Sequence, residues 1–359
     1  MTGRGIDQVL PKPSDPALHE SYVRDARDYV RLAERINGPI RRPVGFEYIW
    51  GAALPELQRT DPDVRIINLE TSITRSAAPW HDKGVHYRMH PSNIDCLSVA
   101  GIDCCVLANN HVLDWGHAGL DETMATLREA GLRTAGAGRN RREAAAPAVI
   151  DLGERGRVLV FACGSSTSGI PMAWGARDGQ AGINLLPNLA AATAHRIGAG
   201  IAGFRQPKDV VVVSVHWGSN WGYGIPHEQR EFAHALIDSG GADIVHGHSS
   251  HHAKGIEVYR QRPILYGCGD FLNDYEGITG NEQYRGDLSL MYFLSLDPMH
   301  GALGMLRIVP LQMHRFSLRS ASPSDADWLK SMFERESTLD CPIRIADDNS
   351  LTLHSTTSC

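Results

Sequence analysis

Residues 108–116 read Ala-Asn-Asn-His-Val-Leu-Asp-Trp-Gly and directly follow the apolar residues 104–107. A short apolar run that stops abruptly is typical of a buried strand in an α/β sheet. Two amides, an imidazole and a carboxylate directly after it belong to a site, because unpaired polar groups are costly in a core. We therefore predict a strand at 104–108 that ends in a candidate functional site.

Other apolar runs also end in polar side chains. Residues 211–215 read Val-Val-Val-Ser-Val and lead into His216, residues 242–245 lead into four histidines between 246 and 252, and Glu70 follows the run 64–69. We predict further strands at 158–163 and 264–266. Segments with helical spacing, 120–130 and 229–239, lie between the strands. This alternation predicts an α/β fold with a largely parallel sheet.

The two ends of the chain have patterns of their own. A helix is predicted over 22–36, and residues 285–315 alternate as antiparallel strands do. Ser322 is a candidate N-cap before Pro323, which predicts a helix through 334 followed by a loose polar tail. The predicted organisation is one main domain over 1–315 and a C-terminal helix with its tail over 316–359.

Composition excludes several classes of protein. The 359 residues are 42% hydrophobic and 21% charged, with 35 basic and 41 acidic side chains and a net charge of −6. This is ordinary globular material, and it argues against a nucleic-acid partner. No run approaches the roughly 18 apolar residues of a membrane span, and residues 1–30 do not resemble a signal peptide. We therefore expect a cytoplasmic chain without a membrane anchor.

The polar groups at the strand ends suit a metal ion. The carboxyl ends of parallel strands lie at one edge of a sheet, so Glu70, Asn110, His216 and histidines from 246 to 251 should converge. Carboxylate, amide and neutral imidazole together suit Mn²⁺, Fe²⁺, Zn²⁺ or Mg²⁺. Each residue also has a structural alternative: Glu70 as a cap or surface group, and Asn109 and Asn110 as left-handed turn residues.

Three further groups are candidates for contact with a substrate or a ligand histidine. His86, Arg88 and His90 alternate along 83–90, so they share one side of an extended strand as a clamp for phosphate or carboxylate, or else form a solvated edge strand. The aromatic side chains around Gly218 are a binding wall or core packing: Trp217, Trp221 and Tyr223. The polar residues after the turn 267–269 are candidates to hydrogen-bond ligand histidines: Asp270, Asn273 and Asp274.

Five motifs occur in order along the chain: Asn68-Leu69-Glu70-Thr71, Ala108-Asn109-Asn110-His111 with Asp114 and Gly116, His216-Trp217-Gly218, Gly247-His248-Ser249-Ser250-His251, and Tyr266-Gly267-Cys268-Gly269-Asp270-Phe271. Over residues 1–310 they closely resemble the CapA group of capsule-synthesis proteins, which concerns bacterial poly-γ-glutamate production and is similar in fold to calcineurin-like metallophosphoesterases. The resemblance implies a four-layer α/β/β/α sandwich with a two-metal site.

The resemblance also implies roles for individual residues. Asn110 becomes a metal ligand, and His111 with Asp114 becomes the catalytic pair, with His111 as general acid or transition-state donor. Glu70 takes the carboxylate position of the metal site. The histidines that would complete the ligand set are His216, His248 and His251.

The chain departs from the pattern of this group in two places. Many relatives read Gly-x-His-Pro-His where this chain has Gly247-His248-Ser249-Ser250-His251. The middle histidine is thus replaced, the ligand assignment is open, and His248 is the candidate to take its place. Relatives also begin with an apolar strand ending in Gly-Asp, whose aspartate binds metal. We expect an upstream start codon to supply that strand and aspartate, since Asp7 lies too far along the chain to replace it.

Two functions follow as expectations. The first is a divalent-metal-dependent hydrolase that resembles phosphoesterases and acts on a phosphorylated or anionic substrate, polymers included, in the synthesis of poly-γ-glutamate or another anionic polymer. The second is a non-catalytic binding or scaffold component of polymer synthesis with a degenerate metal site.

Overall fold

The structure is a computed structural model that describes residues 1–297 and 299–354. Helices and strands alternate through the first 265 residues. The α-helices in the described part of the chain are α1 (Arg27–Asn37), α2 (Ala53–Thr60), α3 (Asp95–Ser98), α4 (Gly116–Glu129), α5 (Arg141–Ala145), α6 (Ala191–Ala202), α7 (His227–Asp238) and α8 (Pro323–Glu336).

The strands differ widely in length, and the longest lie in the two larger sheets. They are β1 (Ile66–Asn68), β2 (Ser72–Ile73), β3 (Arg88–Met89), β4 (Cys104–Val106), β5 (Arg133–Ala135), β6 (Ala137–Gly138), β7 (Ala148–Asp151), β8 (Arg157–Gly164), β9 (Gly182–Ile183), β10 (Val210–His216), β11 (Ile244–His248), β12 (Ile256–Tyr259), β13 (Arg262–Leu265), β14 (Leu288–Leu296), β15 (Leu303–His314), β16 (Ser317–Ser320), β17 (Arg344–Ile345) and β18 (Leu351–His354).

A six-stranded sheet with the order β12-β13-β11-β10-β8-β7 carries half of the candidate site. Its four central strands are parallel. The β-branched run of β10 suits a central strand with both faces covered. Val211, Val213 and Val215 pack against α6 and α7, whereas Val212 joins the core on the opposite face. Ser214 and His216 share the face of Val212, because strand side chains alternate.

A separate three-stranded parallel sheet, β1-β4-β5, carries the other half. Asn68 is in register with Val106, so the segments that follow β1 and β4 leave the sheet side by side. Strand β5 lies against β7 and β8 of the larger sheet. Cys104 and Cys105 of β4 are buried and free. This arrangement brings the loop after β4 toward the end of β10.

An antiparallel sheet, β14-β15-β18-β17 with β16 alongside β15, packs against α8. The antiparallel prediction for 285–315 is confirmed. The prediction of a loose tail is wrong for β18, which pairs with β15 because Leu351 and Leu353 alternate into the core beside α8. Residues 355–359 of that predicted tail lie outside the described residues.

The mixed α/β class is confirmed, and so are strands at the predicted runs of β1, β4, β8, β10, β11 and β13. The helices predicted at 120–130 and 229–239 correspond to α4 and α7. The helix predicted from residue 22 begins only at Arg27. Residues 16–26 instead form a small hairpin, in which Ala26 N–H donates to the Pro16 carbonyl and Asp25 accepts from Arg27 N–H.

Candidate functional site

The two parallel sheets bring three donor atoms together. His216 is the last residue of β10, and its Nε2 lies 3.1 Å from Oδ1 of Asn110 and 3.9 Å from Oε1 of Glu70. Ligands at neighbouring positions around a small octahedral cation are separated by about 3 Å, since each lies about 2.1 Å from the ion. Carboxylate, amide and imidazole therefore meet at a spacing that one divalent cation could bridge.

Hydrogen bonds at the ends of β1 and β4 fix Glu70 and join the two segments that carry Glu70 and Asn110. Asn109 Nδ2 donates to Oδ1 of Asn68 at 3.0 Å and to the Leu69 carbonyl at 2.9 Å. Asn68 Nδ2 in turn donates to Glu70 Oε2 at 2.8 Å. Neither Asn109 nor Asn110 adopts a left-handed conformation, so the turn alternative does not describe them. Asn109 instead ties the strand ends together.

The charges of these groups also suit a cation, because Glu70 has no lysine or arginine as an ion-pair partner in the described part of the chain and His216 is neutral. Burial raises the pKa of Glu70 to about 7, with Asp270 contributing in the same direction. In the described part of the chain, no lysine or arginine forms an ion pair with the Glu70 carboxylate. Burial also holds the pKa of His216 well below its usual range, so its imidazole is neutral, as a metal ligand must be.

A second cluster lies next to these donors. His111 Nδ1 lies 2.7 Å from Oδ2 of Asp114, and Lys83 Nζ lies 2.9 Å from the same ring nitrogen. Tyr87 N–H also donates to Asp114 Oδ2, and its ring meets the His111 ring edge-on at 4.6 Å. Burial lowers the pKa of His111 to about 4, and the Lys83 ammonium lowers it as well. Asp114 thus orients His111 through Nδ1 and leaves Nε2 available.

His251 occupies a third position beside Glu70. Its Nδ1 lies 3.0 Å from Oδ2 of Asp270, which also accepts a hydrogen bond from Asn273 Nδ2 at 3.1 Å. Burial lowers the pKa of His251, but Asp270 and Glu70 outweigh burial and raise it overall. The predicted contact of Asp270 with a site histidine is confirmed, whereas Asp274 pairs with Arg4 instead.

His248 contacts the site through His216. Its Nδ1 lies 2.7 Å from Nδ1 of His216, and its Nε2 lies 2.8 Å from the hydroxyl oxygen of Ser214. Ser214 was not among the residues selected from the sequence. Its signal is that it is the polar residue in a run of valines, two positions before His216 and so on the same face of β10.

The structure places the predicted clamp residues in a neighbouring cluster. His86 is 2% exposed, with Nε2 at 3.0 Å from the Trp80 carbonyl oxygen. Arg88 lies over the Trp115 ring and donates to the backbone carbonyls of Ser76 and Asp15. The hydrogen bonds described for these two side chains hold backbone segments together rather than joining them to Asn110 or His216.

Two of the three predicted aromatic residues differ in environment. Trp217 is 2% exposed, donates to the Tyr266 carbonyl and packs in the core beneath α7. Trp221 is partly exposed, and its ring lies 5.5 Å from that of His251. Trp221 is therefore the one of this pair that borders the candidate site.

The donor set combines nitrogen and oxygen atoms. Within residues 1–297 and 299–354, no three His, Cys, Asp or Glu side chains converge to hold an ion. The third donor beside Glu70 and His216 is the amide oxygen of Asn110, which binds hard cations as a backbone carbonyl does. The residues present therefore fit a divalent cation with mixed oxygen and nitrogen ligands.

Across the described helices, none is long and apolar enough to cross a membrane.

Comparison with known proteins identifies the family. The model of the family described as bacterial capsule synthesis protein PGA_cap matches residues 1–275. A protein of Mycobacterium tuberculosis strain H37Rv, named "Probable polyglutamine synthesis accessory protein", is 46% identical over 336 residues, 93% of this chain and 88% of the relative. The "PGA biosynthesis protein CapA" of Bacillus subtilis strain 168 is 27% identical over 319 residues, 88% of this chain and 76% of the relative. The chain belongs to the PGA_cap family of bacterial capsule synthesis proteins.

Proposed function

We propose that this chain is a divalent-metal-dependent hydrolase of the phosphoesterase type, acting on an anionic substrate in the synthesis of poly-γ-glutamate or a related polymer. The observation that carries the proposal is the convergence of Glu70, Asn110 and His216 beside the His111–Asp114 pair. The names of the relatives in M. tuberculosis and B. subtilis support the polymer as the context.

The proposed chemistry divides between a cation and the side chains around it. Glu70, Asn110 and His216 would hold the cation, and His251 would remain beside Glu70 as the hydrogen-bond partner of Asp270. A bound divalent cation supplies a Lewis acid and a water of lowered pKa. His111 would act on the leaving oxygen through Nε2. Because Asp114 accepts the Nδ1 proton, proton donation from Nε2 requires the imidazolium, which is a minor form of His111 at neutral pH. The Lys83 ammonium adds positive charge that would attract an anionic substrate.

We also propose that the fold is a four-layer α/β/β/α sandwich. Two observations support this arrangement. One face of the six-stranded sheet packs on α6 and α7, and its other face shares a core with the three-stranded sheet. Helix α4 packs against β5 of that smaller sheet. Helices on the outside and sheets on the inside would place both halves of the site at the shared edge.

Hydrolysis assays with counted metal test the proposal. Phosphomonoester and phosphodiester substrates would be assayed with Mn²⁺, Zn²⁺ and Mg²⁺, and bound metal measured by elemental analysis. Activity should require metal, and it should fall together with metal content in His216→Ala and Asn110→Ala. His227→Ala, at an exposed position on α7, is the matched control. Absence of hydrolysis with all three metals would contradict the enzymatic proposal.

The second candidate function is a polymer-binding component without turnover. Lys83 favours it, because its positive charge beside His111 would attract an anionic polymer with no metal present, although the ammonium itself already contacts Asp114, His111 and the Val85 carbonyl. Titration of metal-free protein with poly-γ-glutamate, followed by calorimetry, separates the two functions. Binding that depends on Lys83 and not on metal, without hydrolysis, would support the binding component.

A further inference from the structure

Four side chains of β10 and β11 form a continuous series of hydrogen bonds that leads away from the candidate site. His216 Nδ1 lies 2.7 Å from His248 Nδ1, and His248 Nε2 lies 2.8 Å from Ser214 Oγ. The Ser214 oxygen lies 3.0 Å from Nδ1 of His246. The series therefore begins at the imidazole whose Nε2 faces Asn110 and ends at a partly exposed histidine.

The strand register produces this arrangement. In the parallel pairing of β10 with β11, Ser214 is opposite His246 and His216 is opposite His248. All four residues lie at alternate positions and so share one face of the sheet. Ser214 and His216 are 0% exposed and His248 is 5% exposed. Polar groups in such an interior need partners within the protein, and here they supply them to one another.

We propose that His248 is a positioning residue, which with Ser214 holds the His216 imidazole so that Nε2 faces Glu70 and Asn110, and that His248 does not itself bind the cation. The inference rests on the proposed metal-binding function of this site. It gives His248 a different role from the ligand role suggested by the sequence.

Every donor in this series of hydrogen bonds has an acceptor when His216 is in its metal-binding tautomer. A ligand histidine needs a bare Nε2, so its proton sits on Nδ1 and is donated to Nδ1 of His248. His248 then donates from Nε2 to the oxygen of Ser214, whose hydroxyl donates to Nδ1 of His246. Each ring nitrogen within the series has one partner, and every imidazole stays neutral. His246 carries its proton on the remaining nitrogen.

The same series of hydrogen bonds opposes direct binding of a cation by His248. Both ring nitrogens are engaged, one by each neighbour on β10. Turning the ring toward a cation would leave the Ser214 hydroxyl and His216 Nδ1 without these partners in the interior. Loss of a buried partner costs free energy, which favours the observed orientation.

Three variants separate the positioning role from a ligand role. His248→Asn retains a polar atom near the position of Nδ1, and His248→Leu removes it. Ser214→Ala removes the hydroxyl that contacts His248 Nε2. Calorimetric titration with Mn²⁺ should give affinity within about 3-fold of the parent for His248→Asn. It should give a loss of about 10- to 100-fold for His248→Leu, and a smaller loss for Ser214→Ala, as expected for groups that orient ligands.

A ligand role predicts a different pattern. His248→Asn and His248→Leu would then lose affinity equally, and Ser214→Ala would bind Mn²⁺ as the parent does. Either result overturns the inference. His234→Leu, on α7 and away from the site, is the matched control, and urea unfolding of each variant reports on the fold.

Nitrogen-15 NMR of the metal-free protein gives a second readout that does not depend on metal binding. The His216 ring should occupy a single tautomer in the parent and in His248→Asn, and a mixture of tautomers in His248→Leu. A mixture in the parent would overturn the inference. A parent that binds no Mn²⁺ yet shows a single tautomer would count against the proposed function and leave the positioning role supported.

Discussion

The ammonium nitrogen of Lys83 lies 2.5 Å from Oδ1 of Asp114, in a pair whose side chains are 12% and 0% exposed. The other Asp114 oxygen accepts from Tyr87 N–H and contacts His111. Burial raises the pKa of Asp114, but Lys83 and His111 outweigh burial and keep the pKa below its ordinary value. The buried aspartate is therefore a carboxylate whose charge depends on Lys83.

Lys83→Met should lower the free energy of unfolding by about 3 kcal/mol, because it leaves the Asp114 carboxylate buried with its main cationic partner removed. Urea unfolding measures the change. Lys330→Met is the matched control, since the Lys330–Glu334 pair on α8 has side chains 35% and 44% exposed. Exposed pairs contribute about 0.5 kcal/mol. Equal losses in both variants would contradict the structural role assigned to Lys83.

His111→Ala should keep its metal and lose turnover by about 100-fold, because His111 is assigned to proton transfer and not to ligation. His216→Ala should lose metal as well as turnover. Elemental analysis and steady-state hydrolysis of a phosphodiester measure the two properties separately. The assignment fails if the His111 variant is depleted of metal while the His216 variant retains it.

The sequence predicted the convergence of the site better than the directions of its side chains. The strand signals are local, so β1, β4 and β10 follow from apolar runs, and parallel pairing brings their carboxyl ends to one edge. Glu70, Asn110 and His216 were expected to meet for that reason. Their actual spacing depends on the loops after the strands, which apolar patterning does not describe.

The placement of Trp217 in the core could have been predicted from the alternation of side chains along β10. Trp217 follows Val213 and Val215 at alternate positions, so strand parity assigns it to the face that packs on the helices. The structure places it there. Trp221 lies beyond a glycine with positive φ, Gly218, where the alternation no longer applies.

Long-range pairs could not be predicted from one sequence. Arg4 is 3% exposed and pairs with Asp274, 270 residues away, and with Glu20. Its guanidinium also lies 4.2 Å from the centre of the Tyr87 ring, which contacts His111. Nothing in the local pattern of residues 1–10 relates Arg4 to the candidate site, because this contact is created only by the tertiary fold.

Ser322→Ala should lower the free energy of unfolding by about 1 kcal/mol. Ser322 was predicted as the N-cap of α8, and the structure confirms a capping box: its hydroxyl accepts from Asp325 N–H, and the Asp325 carboxylate accepts from Ser322 N–H. Urea unfolding measures the loss. Ser331→Ala, at an exposed position within α8, should change stability by less than about 0.5 kcal/mol. A larger effect at Ser331 than at Ser322 would contradict the cap.

The stability of the fold should decline below about pH 4, in part through the Asp209 carboxylate. Arg157 contacts Asp209 at 2.6 Å and 2.9 Å, and Gln206 N–H donates to it at 2.7 Å. Burial raises the pKa of Asp209, but these bonds outweigh burial and lower it overall. Because the folded state has the lower pKa, the stabilisation is complete above the unfolded value and is lost as pH falls through the folded value.

Asp209→Asn should therefore cost about 2 kcal/mol at pH 6 and less at pH 3, since the parent has lost part of its advantage there. Urea unfolding at both pH values measures the difference. Asp178→Asn, at an exposed position, should leave the difference between the two pH values as it is in the parent. A cost at Asp209 that is the same at pH 3 and pH 6 would show that its charge does not stabilise the fold, and that the Arg157 contact acts only through packing.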